Sequence, residues 1–220
     1  MQFLSIEVNK NGEAVAKHLE NELKRLRNRK MDYTVDIRES EAGTNIICAL
    51  KDGKFCREKP EEAYRILAAY IANALADYIV VQYEEKLLNR IINNNYCYFT
   101  HIEKKEILNK AIFLTREDSG NFFNSLFQIR RRNIIICSLM EYFENYDSIN
   151  LEGFVNFRLK EYIKDLEELA DKAVDDFLMD REYNEFIRLL RYFVDIQEPK
   201  FDVVHVIAGF GEQYVLLDDK

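Results

Sequence analysis

Between residues 151 and 198 apolar side chains recur every three or four positions: Leu151, Val155, Leu159, Tyr162, Leu166, Leu169, Ala173 and Phe177. At about 3.6 residues per turn this spacing lines one side of a helix, and that side requires a protein cover. Glu161, Lys164, Asp165, Glu168, Asp171, Lys172 and Asp175 fall opposite and read as a solvated face. No proline interrupts the run before Pro199, and Asp180-Arg181 marks the expected division into two helices, roughly 151–178 and 182–197.

A period of two governs the first fifty residues instead. Leu4, Ile6 and Val8 alternate with Ser5 and Glu7, as a strand with one wet face requires, and Asn9-Lys10-Asn11-Gly12 turns the chain. Val15, Leu19, Leu23 and Leu26 form a helical stripe whose last turns carry Lys24, Arg25, Arg27, Arg29 and Lys30. Tyr33, Val35 and Ile37 alternate with polar residues, and Glu41-Ala42-Gly43 returns the chain through Ile46 to Leu50 as a hairpin. The returning strand is apolar on both faces, which predicts an interior place in its sheet.

From Pro60 the pattern turns helical for about 140 residues. Pro60 at the first helical position, followed by Glu61 and Glu62, suits a helix N-terminus, where no donor is lost and carboxylates meet the positive end of the dipole. That helix is expected to reach about Asn93. Thr100-His101-Ile102-Glu103 supplies a capping box for the next, Thr115 to Asn121 reads as a loop, and Phe122 to Tyr146 as a further helix. Asp147 to Asn150 reads as a connector. Val203 to Ile207 and Tyr214 to Leu217 read as strands across Gly209-Phe210-Gly211.

The result is an α+β class, predominantly helical, with a small mixed sheet built from N-terminal strands and a C-terminal hairpin. Three regions follow: a β-α-β-β region over 1–58, a helical region over 59–200, and a hairpin over 201–220 expected to join the N-terminal sheet. Asp218-Asp219-Lys220 reads as the start of another turn, so a longer parent chain is expected.

Composition narrows the chemistry. Forty-eight per cent hydrophobic residues supply a core, and 31 basic against 39 acidic side chains leave a net charge of −8, a poor match for neutralising many phosphates. Cys48, Cys56, Cys97 and Cys137 are widely spaced with no CxxC pair, which reads as reduced, mostly buried thiols rather than a disulfide framework. The N-terminal residues MQFLSIEVNKNGE lack a basic start and an apolar core, so a cytosolic location is expected. The most lipid-like stretch, from Ala63 to Val81, contains Arg65, Asn73 and Asp77. Each charge at mid-bilayer would cost about 2.5–3.5 kcal/mol, so it reads as a core helix and no membrane partner is expected.

Residues 152–162 (EGFVNFRLKEY) and 182–194 (EYNEFIRLLRYFV), followed by Ile196-Gln197-Glu198-Pro199-Lys200 and Val204-His205-Val206-Ile207, resemble the YtxC-like sporulation proteins of endospore-forming bacteria. The resemblance is concentrated in residues 150–207. It implies a cytosolic protein of a sporulating bacterium, brings no activity, catalytic residue or ligand with it, and implies that members continue past a point like Lys220.

Candidate chemistry is sparse. Arg130, Arg131 and Arg132 are the most pointed anion-binding candidates, because three consecutive guanidinium groups spread over roughly 200° of a helix and one neighbour cannot pair them all. Ordinary ion pairs to the abundant carboxylates are the plainer reading. Lys24 to Lys30 offers phosphate contacts, or simply offsets the negative end of its helix dipole. Phe154, Phe157 and Arg158 widen the apolar arc at residue 151, and Arg188 and Arg191 share a helix face with Asn184 and Asp195. These five are the candidate partner-binding residues, with burial inside the monomer and an Arg191–Asp195 pair as the alternatives.

His18, His101 and His205 fit no ligand spacing, Gly209-Phe210-Gly211 lacks the third glycine of a dinucleotide loop, and no P-loop or nucleophile elbow occurs. No catalytic residue, cofactor or metal site is therefore assigned. The leading expectation is a noncatalytic protein that binds a partner, or itself, through the helices of 151–197. Nucleic-acid or anion binding through the clustered arginines stands second, and an enzyme of unknown reaction third.

Overall fold

In the computed structural model, which describes residues 3–9, 11–40, 43–116, 122–196, 201–208 and 211–218, the period-two segments of the N-terminus form one sheet. Strand β1 (Phe3–Val8) pairs antiparallel with β3 (Gly43–Leu50), and β3 pairs antiparallel with β2 (Tyr33–Ser40). The order β2-β3-β1-β4 gives β3 the interior place that its two apolar faces require. Leu4, Ile6 and Val8 are buried, as are Ile46 and Cys48. Helix α1 (Gly12–Leu23) packs on β2 and β3 through Val15, Leu19 and Leu23.

The fourth strand of this sheet is β4 (Ser148–Asn150), the stretch expected to be a connector, which pairs parallel with β1 from Ser5 to Glu7. Ser5 N–H donates to Asp147 O at 2.8 Å, and Asn150 Nδ2 to Glu7 Oε2 at 3.2 Å, so the edge of β1 is covered by three residues. So short a strand carries too little alternation to be seen as one.

Helix α2 (Lys54–Glu58) is a single exposed turn leading to α3 (Pro60–Asn95). The 36 residues of α3 span about 54 Å at 1.5 Å per residue. By length and composition α3 could cross a membrane; here half of its most apolar window is buried, against α1, α4 (His101–Arg116) and α5 (Phe122–Asn145). Ala68, Ala72 and Ala76 keep that surface shallow enough for close helix approach. The capping box of α4 forms: Thr100 N–H donates to Glu103 Oε2 at 2.8 Å and Glu103 N–H to Thr100 Oγ1 at 3.3 Å. Of the loop expected between Thr115 and Asn121, Thr115 and Arg116 still belong to α4, and 117–121 lie outside the described residues.

After β4, Asn150 caps α6 (Leu151–Phe157) by accepting from Gly153 N–H at 2.8 Å. The long helical segment then breaks at Arg158-Leu159, and α7 (Lys160–Ile196) runs through Asp180-Arg181 without interruption. The expected break at 180–181 is therefore misplaced, because Asp and Arg without glycine or proline leave helix propagation intact. All eight residues of the sequence stripe, Leu151 to Phe177, are buried. On the supposedly wet side Asp165 is an exception and is also buried.

The chain divides into two compact units, residues 1–173 and 174–220. The second contains the remainder of α7 and the strands β5 (Phe201–Ala208) and β6 (Gly211–Asp218), paired from Phe201↔Asp218 to Ala208↔Gly211. Within this unit the hairpin forms a two-stranded antiparallel ladder. The expected turn at Gly209-Phe210 and the stop at Pro199 lie outside the described residues.

The junction of β1 and α1 is tightly built. A Cβ on Gly12 would lie 2.2 Å from Thr44 Cβ, and Gly43 holds φ +141° with Val8 O 2.6 Å from where its own Cβ would stand. Replacing Gly12 by Ala is expected to lower the unfolding free energy by about 1–3 kcal/mol, the usual cost of overpacking. Adding Thr44→Gly, which removes the clashing Cβ itself, should recover part of it. Urea denaturation of the single and double variants checks this, and a fully stable Gly12→Ala variant would rule out the contact.

Candidate functional site

Arg130, Arg131 and Arg132 leave α5 at steps of about 100°, so each must find its own surroundings. Arg131 points inward and is 1% exposed. Its Nε donates to Glu84 Oε1 on α3 at 2.9 Å, and its Nη2 to Thr115 O at the end of α4 at 3.4 Å. Arg132 reaches another part of α3, with Nε to Asp77 Oδ1 at 2.6 Å and Nη2 to Asn73 Oδ1 at 3.0 Å. Arg130 pairs with the buried Asp165 of α7 at 3.2 Å. The triplet thus ties α5 to α3, α4 and α7.

The inner layer of this arrangement is unusually polar. Burial raises the pKa of Glu84 above its ordinary 4.5, against the pull of Arg131, and burial raises that of Asp165 above 3.8, against the pull of Arg130. Tyr162, one turn before Asp165, is pushed well above the tyrosine range by burial and by the charge of Glu84. Among the described residues neither Tyr162 Oη nor Asp165 Oδ2 makes a hydrogen bond of normal geometry.

Two cavities flank the triplet. One, of about 640 Å3, is bounded by Asp77, Glu84, Thr115, Arg116, Arg131 and Arg132 with apolar side chains between them, and its charges largely compensate one another. The other, of about 850 Å3, lies between α5 and the α6–α7 break. Arg130, Arg158 and Lys160 line it together. The arginine triplet is therefore divided: Arg130 lines the second cavity with Arg158, while Arg131 and Arg132 line the first.

The other candidates separate. Phe154 is buried, edge-on to Tyr142 at 5.5 Å, which removes it from any surface role; Phe157 and Arg158 are exposed. Arg188 and Arg191 are exposed on the part of α7 that belongs to the second unit, and the side chain of Asp195 lies outside the described residues. Lys24 to Arg29 form a 3-10 turn in which Arg25 pairs with Glu22 at 2.7 Å and Arg27 sits 5.6 Å over the ring of Tyr33. Of the four cysteines, all free, only Cys48 is buried, its thiol pushed up to about 12 chiefly by burial; Cys97 and Cys137 are exposed, which corrects the expectation of mostly buried thiols. Among the described residues no group of three or more His, Cys, Asp or Glu is placed to hold a metal ion.

Glu84, Asp77 and Asp165 were missed as partners because each resembles an ordinary helix-surface charge. A charge set in an apolar stretch, as Asp77 is in ANALADYIVV, was the available signal.

Residues 69–220 match the sequence model of the YtxC-like family. The match extends beyond the segment of 150–207 that carries the resemblance. The "Uncharacterized protein YtxC" of Bacillus subtilis (strain 168) is 25% identical over 171 residues, 78% of this chain and 60% of the relative. The chain thus spans about 60% of the length of that curated relative. No solved structure matches the chain.

Breaking a buried ion pair costs more than removing it whole, since one charge is left without compensation. Arg131→Leu should lose about 3–5 kcal/mol in urea denaturation, and adding Glu84→Leu should restore a large part; equal losses for the single and double variants would refute the pairing. The raised pKa of Asp165 has a definite sign. Its stabilising contribution is present below the unfolded value near 3.8 and is lost as pH rises through the higher native value. The stability difference between wild type and Asp165→Asn should therefore shift toward the variant from about pH 4 upward. A flat difference across that range would contradict the burial assigned to this carboxyl.

Proposed function

The chain belongs to the YtxC-like family, and from that premise we propose that it is a noncatalytic protein of sporulation that binds another protein through the second unit's part of α7. The observation that supports this reading is an exposed apolar run on one helix. Met179, Tyr183, Phe186 and Leu189 follow one another at steps of four, three and three, with Met179 69% and Phe186 45% exposed. Exposed apolar residues that cluster at helical spacing are characteristic of interaction surfaces, whereas scattered ones are not. Arg188 and Arg191 lie exposed along the same stretch, and aromatic residues with arginine are enriched at the centres of interfaces. The cytosol is the compartment we assign, supported by the four free cysteines.

A double variant, Met179→Glu with Phe186→Glu, should disrupt complexes formed in sporulating cells. The expected loss is about 2 kcal/mol or more of binding free energy, roughly thirtyfold in affinity, while the unfolding free energy changes by less than about 0.5 kcal/mol. Affinity purification and the mass of the purified protein in solution check both parts. Retention of the same partners and the same mass by the variant would overturn the reading.

A further inference from the structure

We propose that the cavity between α5 and the α6–α7 break binds a small phosphomonoester, a role independent of the protein-binding surface of the second unit. Arg130 arrives from α5, Arg158 from the end of α6 and Lys160 from the first turn of α7, so three cations distant in sequence line one space of about 850 Å3. That volume lies within the range of small-molecule sites. The guanidinium of Arg130 is anchored at 3.2 Å by Asp165, itself buried, which fixes one cation in place before a ligand arrives. Arg158 and Lys160 are exposed, so their charges are accessible to a solute.

The same walls select the class of anion. Asn133 and Ser138 add neutral donors beside the cations, suited to the oxygens of a phosphate that carries about −1.5 to −2 charges at neutral pH. With Arg130 held by Asp165, the exposed charges of Arg158 and Lys160 are matched in number by Glu141 and Glu161, a balance that admits a single phosphate by local contacts with the cations and is unfavourable to a chain of phosphates. Those carboxylates instead accept hydrogen bonds from hydroxyl groups, and Ile129 and Ile134 give an apolar wall for the body of the molecule. A sugar phosphate fits this division of labour; a nucleic-acid strand does not. The positive end of α7 begins at Lys160 and adds to the field in the same place.

Cys137 lines the cavity and is exposed, whereas Cys97, also exposed, is not among its lining residues, so the protein carries a reporter and a reference. Alkylation of the full chain by iodoacetamide, followed cysteine by cysteine by peptide mass spectrometry, is measured with ribose 5-phosphate as the probe. Saturable slowing at Cys137, without change at Cys97, is expected. Inorganic phosphate should act at higher concentration, and chloride at equal ionic strength should have no effect. Arg158→Ala and Lys160→Ala, both surface changes, should each raise the half-saturating concentration about tenfold, the loss of one hydrogen bond to a charged group. Calorimetric titration of the same probe reads binding without the thiol. Absence of saturable binding by both methods, or binding unchanged in the double variant, would overturn the proposal. So would protection by a thymidine oligonucleotide where the sugar phosphate gives none.

Discussion

A guanidinium buried to 1% exposure requires an anion at contact distance, and Arg131 obliges α5 to sit where Glu84 of α3 meets it at 2.9 Å. The surroundings of the two flanking arginines follow from that requirement. With Arg131 fixed inward, the 100° step of the helix turns Arg130 toward α7 and Arg132 toward α3 about two turns from Glu84, and each meets a carboxylate there. A slide of α5 by one residue would bury a different side chain and leave Glu84 without its cation. The buried pair thus contributes little net stability of its own, yet it sets the register in which the apolar surfaces of α3 and α5 meet.

This polar interior is held under tension. Glu84 and Asp165 are carboxyls whose charge is disfavoured by burial and rescued by arginine, and Tyr162 feels the charge of Glu84 with its hydroxyl outside normal hydrogen-bond geometry. An apolar core at the same place would cost less. What the ionic core does is connect Arg130, at the wall of the larger cavity, through Asp165 to the buried face of α7. The cation that faces solvent is positioned by a group that does not.

Two kinds of surface result, one in each unit. The cavity beside the α6–α7 break presents Arg130, Arg158 and Lys160 together with the neutral donors Asn133 and Ser138, so it is suited to selection by local charge and hydrogen bonding. The exposed run from Met179 to Leu189 selects by apolar area, with Arg188 and Arg191 beside it. Both fall within the residues that match the YtxC-like family, whereas β1, α1, β2 and β3 precede the matched region.

Sequence by itself determined the local elements and the sides of them that are covered. Strand alternation at Leu4, Ile6 and Val8, the interior place of Ile46 to Leu50, the Thr100–Glu103 cap and the stripe from Leu151 to Phe177 all appear where their periods and end signals place them. Tertiary structure alone decided the three-residue pairing of β4 with β1, the helix break at Arg158-Leu159 and the partners of the three arginines. The reason is one of range. Periodicity records burial on one element and is written in adjacent residues, but whether a charge is neutralised depends on distances through space, and Arg131 finds Glu84 across 47 positions of chain that carry no mark of it.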